Sequence, residues 1–141
     1  MAYQVTFAKD DQIIYLRLIG EVTQEEVYGF NRQLTQILRQ SNQIVHVLID
    51  ASSLTQYPGN LQSLRRMMTY LHEPTLGWVI DWGNTNTNFY FITSVLNQMA
   101  RVSCASCTTL LEAIQRLDTT LRKRSDQRKK LIISRLTLSE T

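Results

Sequence analysis

The sequence predicts a single α/β domain with a mostly parallel sheet whose first strand runs antiparallel. Three observations lead there. Two β-patterned runs near the N-terminus are joined by a short polar link, Lys9-Asp10-Asp11-Gln12. Beyond them, nearly continuous apolar runs alternate with amphipathic helical stripes, the pattern of strands joined by crossover helices. The chain has 141 residues, 43% apolar and 19% charged. One domain of that size buries roughly two thirds of its unfolded surface and needs no metal or disulfide to hold it.

Each element follows from its own residues. Tyr3, Val5 and Phe7 alternate with Gln4, Thr6 and Ala8, which reads as a half-buried strand. Ile13 to Ile19 is a second strand, with Ile14, Leu16 and Leu18 on one face, and the short link makes the two a hairpin. Gly20 closes that strand. Thr23 then caps a helix, Glu26 completes a capping box, and Val22 and Val27 stand at the positions of a hydrophobic staple. Val27, Phe30, Leu34, Ile37 and Leu38 form its apolar face, and Gly29 costs it about 1 kcal/mol against alanine. Ile44 to Ile49 is almost wholly apolar, as suits a strand covered on both sides. Residues 50–60 read as a loop. Leu61, Leu64, Met67, Met68 and Leu71 stripe a second helix, which ends before Pro74. Trp78, Val79 and Ile80 form the next strand, and Gly83-Asn84-Thr85-Asn86 turns. Phe89, Ile92, Val95, Leu96 and Met99 stripe a third helix, and Val102 to Cys107 is a short strand. Thr109 and Glu112 open a last helix that turns Ala113, Ile114, Leu117 and Leu121 inward. The order is β-β-α-β-α-β-α-β-α over residues 1–121. Residues 122–141 form a basic and then apolar extension.

Charge is unevenly spread. Residues 122–130 carry six bases and one acid, a net of +5, whereas residues 1–121 carry eight bases and ten acids, a net of −2. A nucleic-acid-binding core is therefore not expected, and polyanion binding is confined to the basic tail. The start, Met1-Ala2-Tyr3-Gln4, lacks the basic and apolar regions of a secretory signal. No apolar run approaches the roughly 18 residues of a membrane span. Two cysteines make no disulfide framework, and a reducing cytoplasm is the simplest compartment.

Several groups carry chemistry in principle. Asp50 and Asp81 fall at or near the C-terminal ends of neighbouring strands, where open α/β sheets bind ligands. Together they would hold Mg²⁺ or serve as acid and base. Alternatively, Asp50 bonds its own backbone and Asp81 alternates outward between buried Trp78, Ile80 and Trp82. Cys104-Ala105-Ser106-Cys107 is a CxxC, but both cysteines precede the helix cap that would activate a thiolate, and residues three apart on a strand face opposite sides. His46 interrupts an apolar strand as a core hydrogen-bonding group would, and His72 suits a helix C-terminus; neither has metal-ligand spacing around it. No G-x-S-x-G elbow marks a nucleophile. Asn84, in the turn before the third helix, either helps hold an anion there or makes ordinary turn and cap bonds. Arg65 and Arg66 lie off the apolar stripe of the second helix, as a solvated face or, with Tyr57 and Tyr70, a protein-binding patch.

Gly20 at the end of the second strand, the strand VHVLIDASSL and the capped helix 109–121 resemble the STAS domain of bacterial anti-sigma-factor antagonists and transporter cytosolic regions. The stretches GEVTQEEV, HVLIDASSLTQYPGNL, LGWVIDWGNTN and TTLLEAIQRL resemble small bacterial SpoIIAA-like proteins, over about residues 3–121. The resemblance implies a STAS-type α/β fold and a non-enzymatic regulatory module without a cofactor. In such antagonists a modifiable serine stands in an Asp-Ser-Ser-Gly run where the loop enters the helix after strand three. Aligned on Asp50, that run falls on Pro58-Gly59-Asn60-Leu61, which holds no hydroxyl, and Ser52 and Ser53 come too early and read as turn residues. The expected role is to present loop 50–60 and helix 61–71, with Asn60, Arg65 and Arg66, to a protein partner. A small-ligand or nucleotide-binding domain around Asp50 and Asp81 is the alternative, and a CxxC redox protein a third. Trp78 and Trp82, with the apolar run 131–138, suggest self-association as a homodimer.

Overall fold

The structure, a computed structural model, describes residues 2–119. Strands β1 (Tyr3–Ala8) and β2 (Ile13–Glu21) form the expected antiparallel hairpin, with Tyr3 opposite Leu18 and Phe7 opposite Ile14. Helix α1 (Gln24–Gln40), β3 (Val45–Gln56), α2 (Leu61–Met67), a 3₁₀ turn (Thr69–His72), β4 (Leu76–Trp82), α3 (Thr87–Met99) and β5 (Cys104–Cys107) follow. Residues 110–119 form a further helix, α4. The five strands lie in the order β1-β2-β3-β4-β5, with every pair after the first parallel. The element order and the mixed α/β sheet are those the sequence predicts.

Each crossover moves the sheet on by one strand in the same direction. Right-handed crossovers then place α1, α2 and α3 on a single face. The packing agrees: Val27, Phe30 and Leu34 of α1, Leu64 of α2, and Phe89 and Ile92 of α3 share one buried cluster with Leu16, Val47, Ile49 and Val79 of the sheet. The opposite face carries Ile13, Leu48, Ile80 and Trp82, and Ala113 and Leu117 of α4 cover it. Burying a residue such as Leu34 or Leu117 contributes roughly 1.5–3 kcal/mol.

Local signals govern the helix starts. The Thr23 hydroxyl accepts the Glu26 N–H, and the Glu26 carboxylate accepts the Thr23 N–H and, at 2.8 Å, the Ala2 N–H. Thr109 accepts the Glu112 N–H, and Glu112 reaches back to the Thr108 N–H.

Five expectations are corrected. Strand β3 does not stop at Ile49 but runs on to Gln56, and β2 runs through Gly20 to Glu21, so the two lengthen together. Helix α2 ends at Met67: Met68 leaves helical geometry at ψ 60°, and the Tyr70 N–H donates to the Asn31 side chain at 2.9 Å instead of continuing the helix. Ile114 is 39% exposed, so the inward face of α4 is Ala113 and Leu117. Tyr57 and Tyr70 are core residues, 5% and 1% exposed, and form no surface patch. Leu121 and the extension 122–141 lie outside the described residues. No helix among the described residues is long and apolar enough to cross a membrane.

Candidate functional site

The C-terminal ends of the parallel strands are where an open α/β sheet places its ligands. Here β3 carries Asp50, opposite Arg17 of β2. From Arg17 to Ile19 the partner strand takes two steps while β3 takes three, from Asp50 to Ser53. The extra residue is a β-bulge. Asp50 stabilises it, because its Oδ1 accepts the Ser52 N–H at 3.0 Å and the Ser52 hydroxyl at 2.6 Å. Its Oδ2 stands 3.9 Å from the Arg17 guanidinium. Ser52 and Ser53 are thus strand residues, and the Ser52 hydroxyl is already given to Asp50. Gly83 packs against the same bulge. It has φ +72°, and a Cβ there would stand 2.8 Å from that of Ser52, so both backbone and space require glycine.

Asp81 does not join Asp50. Asp50 is level with Trp82, which faces α4, whereas Asp81 is level with Ile49, which faces α1–α3. The two carboxylates point to opposite sides of the sheet. Nor does Asp81 alternate outward: it is 6% exposed, at the edge of the larger core. Its Oδ2 accepts the Ser106 hydroxyl at 3.0 Å, and its Oδ1 has no hydrogen-bond partner among the described residues. It borders an internal space of about 10 Å³ whose walls include Tyr57, Tyr70, Thr93 and Asn97. Burial pushes the Asp81 carboxyl above the usual carboxylate range, and the Ser106 hydrogen bond partly opposes this. Burial also raises the phenol of Tyr70, with the nearby Asp81 adding to the effect, and that of Tyr57.

The asparagines at this end serve the helices. The Asn84 side chain accepts the Asn86 N–H at 2.8 Å. Asn86 caps α3 by accepting the Phe89 N–H, and its amide donates to the Thr55 carbonyl at 2.9 Å, tying α3 to the end of β3. Asn60 caps α2 by accepting the Ser63 N–H at 3.1 Å. Arg65 and Arg66 are exposed on α2.

The cysteines lie on an edge strand with Cys104 level with Val79 and Cys107 level with Trp82, hence on opposite faces. Burial pushes the Cys107 thiol up, and Glu112 adds to that while Arg116 opposes it. This is the reverse of what a redox thiolate needs. His46 is buried and accepts the Trp78 N–H on Nδ1 at 2.9 Å; a side chain at Gly77 would run into its ring. Among the described residues no three His, Cys, Asp or Glu side chains gather as metal ligands would.

A groove between α1 and α2, of about 620 Å³, was not singled out by the sequence. Tyr28, Arg32, Gln36 and Arg39 line it from α1, and Arg66 and Met67 from α2. Its signal was present as the polar stripe of α1, at helical spacing opposite the apolar face. A charged stripe on a helix ordinarily means solvent, and the wall supplied by α2 is invisible to local spacing. Asn31 and Thr69 close the floor, with the Asn31 amide donating to the Thr69 hydroxyl at 3.0 Å.

No protein-family model matches the chain, and no curated protein sequence matches it.

Proposed function

We propose that this chain is a non-catalytic protein-interaction module of the STAS, SpoIIAA-like kind its sequence resembles. It presents the end of β3, residues 58–60 and the exposed side of α2 to a protein partner. The observation that carries this reading is the divergence of Asp50 and Asp81. Acid-base or metal chemistry at the strand ends needs carboxylates that converge on one ligand. Here one carboxylate is spent on a bulge and the other is buried on the far face of the sheet. The small-ligand alternative rested on those two residues acting together.

The region aligned with the modifiable serine of phospho-regulated antagonists carries Pro58, Gly59 and Asn60, and Asn60 is occupied as a helix cap. The module therefore acts without that phosphorylation switch. What α2 offers outward is the pair Arg65 and Arg66, both exposed.

Affinity capture from a lysate of the source cells tests this, using wild-type chain and Arg65→Glu/Arg66→Glu. A protein retained by the wild type and lost from the double variant, with circular dichroism unchanged, is the expected result. Equal recoveries would overturn the proposal.

A further inference from the structure

We propose that the groove between α1 and α2 receives an acidic segment of a protein partner. This rests on the interaction-module reading and names the chemistry of what is bound.

The argument begins with charge. Three guanidiniums, of Arg32, Arg39 and Arg66, line the groove, and no Asp or Glu does. Arg39 is drawn aside by Glu73, with Nε 2.8 Å from the carboxylate. Arg32 and Arg66 have no ion pair among the described residues. Arg32 lies over the ring of Tyr28, 5.8 Å from its centroid. Such stacking orients a guanidinium and leaves its N–H edge free for a carboxylate.

The shape fits a peptide. The α1 wall from Tyr28 to Gln40 is about 18 Å long at 1.5 Å per residue, the length of about three turns of helix. Tyr28, 52% exposed, and Met67 add apolar contact beside the cations. The floor is already tied. Asn31 donates to Thr69 and accepts from the Tyr70 N–H, so α1 and the 3₁₀ turn hold their spacing before anything binds. A preformed groove loses less free energy on ordering when a ligand enters.

A nucleic acid fits less well. Phosphate backbones are held by extended positive fields. Residues 1–121 carry eight bases against ten acids, so the cations of this groove form a local strip on a chain body of net −2.

Fluorescence anisotropy on the full chain tests this with three labelled probes: a peptide of Glu-Glu-Leu repeats, its Gln-Gln-Leu counterpart and an oligouridylate of equal length. The glutamate peptide is expected to bind, the glutamine peptide not. Arg32→Glu/Arg66→Glu is expected to weaken binding by on the order of tenfold. Lys9→Glu/Arg101→Glu, which removes the same charge outside the groove, is expected to leave it unchanged. That control separates the groove from the basic extension at residues 122–130, which every variant retains. Rising salt should weaken the wild type more than the groove variant. The proposal is overturned by equal affinity in the two double variants, by equal binding of the glutamate and glutamine peptides, or by tighter binding of the oligouridylate that Arg32→Glu/Arg66→Glu weakens. If a captured partner is lost with Arg65→Glu but kept with Arg32→Glu, the module stands and the groove as a site for an acidic segment falls. If the peptide behaves as expected while capture is lost with Arg32→Glu but kept with Arg65→Glu, the groove stands and the proposed presenting face falls.

Discussion

Asp81 holds one oxygen on the Ser106 hydroxyl and turns the other toward the core, where no donor among the described residues meets it. A buried polar atom left unpaired costs about 1–3 kcal/mol, and more when the group is charged. Burial raises its folded pKa above the unfolded value. Its contribution to stability is therefore fullest below the unfolded pKa, where both states are protonated, and is lost as pH rises through the raised folded value. Asp81→Asn keeps an acceptor for Ser106 and removes the titration. The variant is expected to unfold in urea near the wild-type midpoint at about pH 4 and to gain about 1–3 kcal/mol on the wild type at about pH 8. A difference that is the same at both pH values would refute it. Glu26 behaves in the opposite sense. Partial burial pushes its carboxyl up, but hydrogen bonds from Ala2 and Thr23 outweigh that and hold it below the usual range. Its stabilisation is present above the unfolded pKa and lost as pH falls through the folded one, so the wild type weakens at acid pH for a reason unconnected with Asp81.

Helix caps were the most legible elements. Asn60 and Asn86 both accept the N–H three residues on, yet they are not equivalent. Asn86 also donates to the Thr55 carbonyl, so it fastens α3 to β3 as well as starting the helix. Asn60→Ala is expected to cost about 1 kcal/mol, the ordinary value of a cap. Asn86→Ala should cost about 2 kcal/mol, a cap plus one tertiary hydrogen bond. Asn86→Asp, which keeps the cap but loses the donor and sets a carboxylate oxygen against the Thr55 carbonyl, should fall between them. Thermal unfolding monitored by circular dichroism orders the three, and equal losses for Asn60→Ala and Asn86→Ala would remove the tie to Thr55. The strand and helix ends were less legible, for an identifiable reason. Asp50-Ala51-Ser52-Ser53 has turn composition, and its turn-like bonds do form, but inside a bulge that lets β3 go on pairing with β2. Helix α2 stops early because Asn31, thirty-nine residues away in sequence, takes the Tyr70 N–H. Local spacing reports neither a pairing partner nor a distant acceptor. The divergence of Asp50 and Asp81 needed the strand register as well, since proximity at two strand ends does not say which face each side chain takes.

The alternation of strands and helices was enough to predict the sheet, whereas the unequal covering of its two faces follows from strand order. Because each crossover steps the same way, three helices share one face, and α4 covers the other from the end of the described chain. Among the described residues the larger cluster holds twenty-three buried residues and the smaller one six, so within residues 2–119 far less apolar burial holds α4 than holds β2, β3 and α1 together. Local opening free energy follows that burial. Amides of α4 are expected to exchange with solvent through a partial opening, whereas those of β3 exchange only when the whole domain unfolds. Leu117→Ala removes a 3%-exposed side chain from the smaller cluster and should lower the opening free energy of α4 by about 2–5 kcal/mol, up to the limit of its local stability. Ile114→Ala, on the outward side of the same helix, should change it by no more than about 0.5 kcal/mol. Native-state hydrogen exchange read by NMR separates these outcomes residue by residue. If α4 and β3 share one opening free energy, and Leu117→Ala lowers both equally, the two faces form a single cooperative unit and the smaller cluster is as firmly held as the larger.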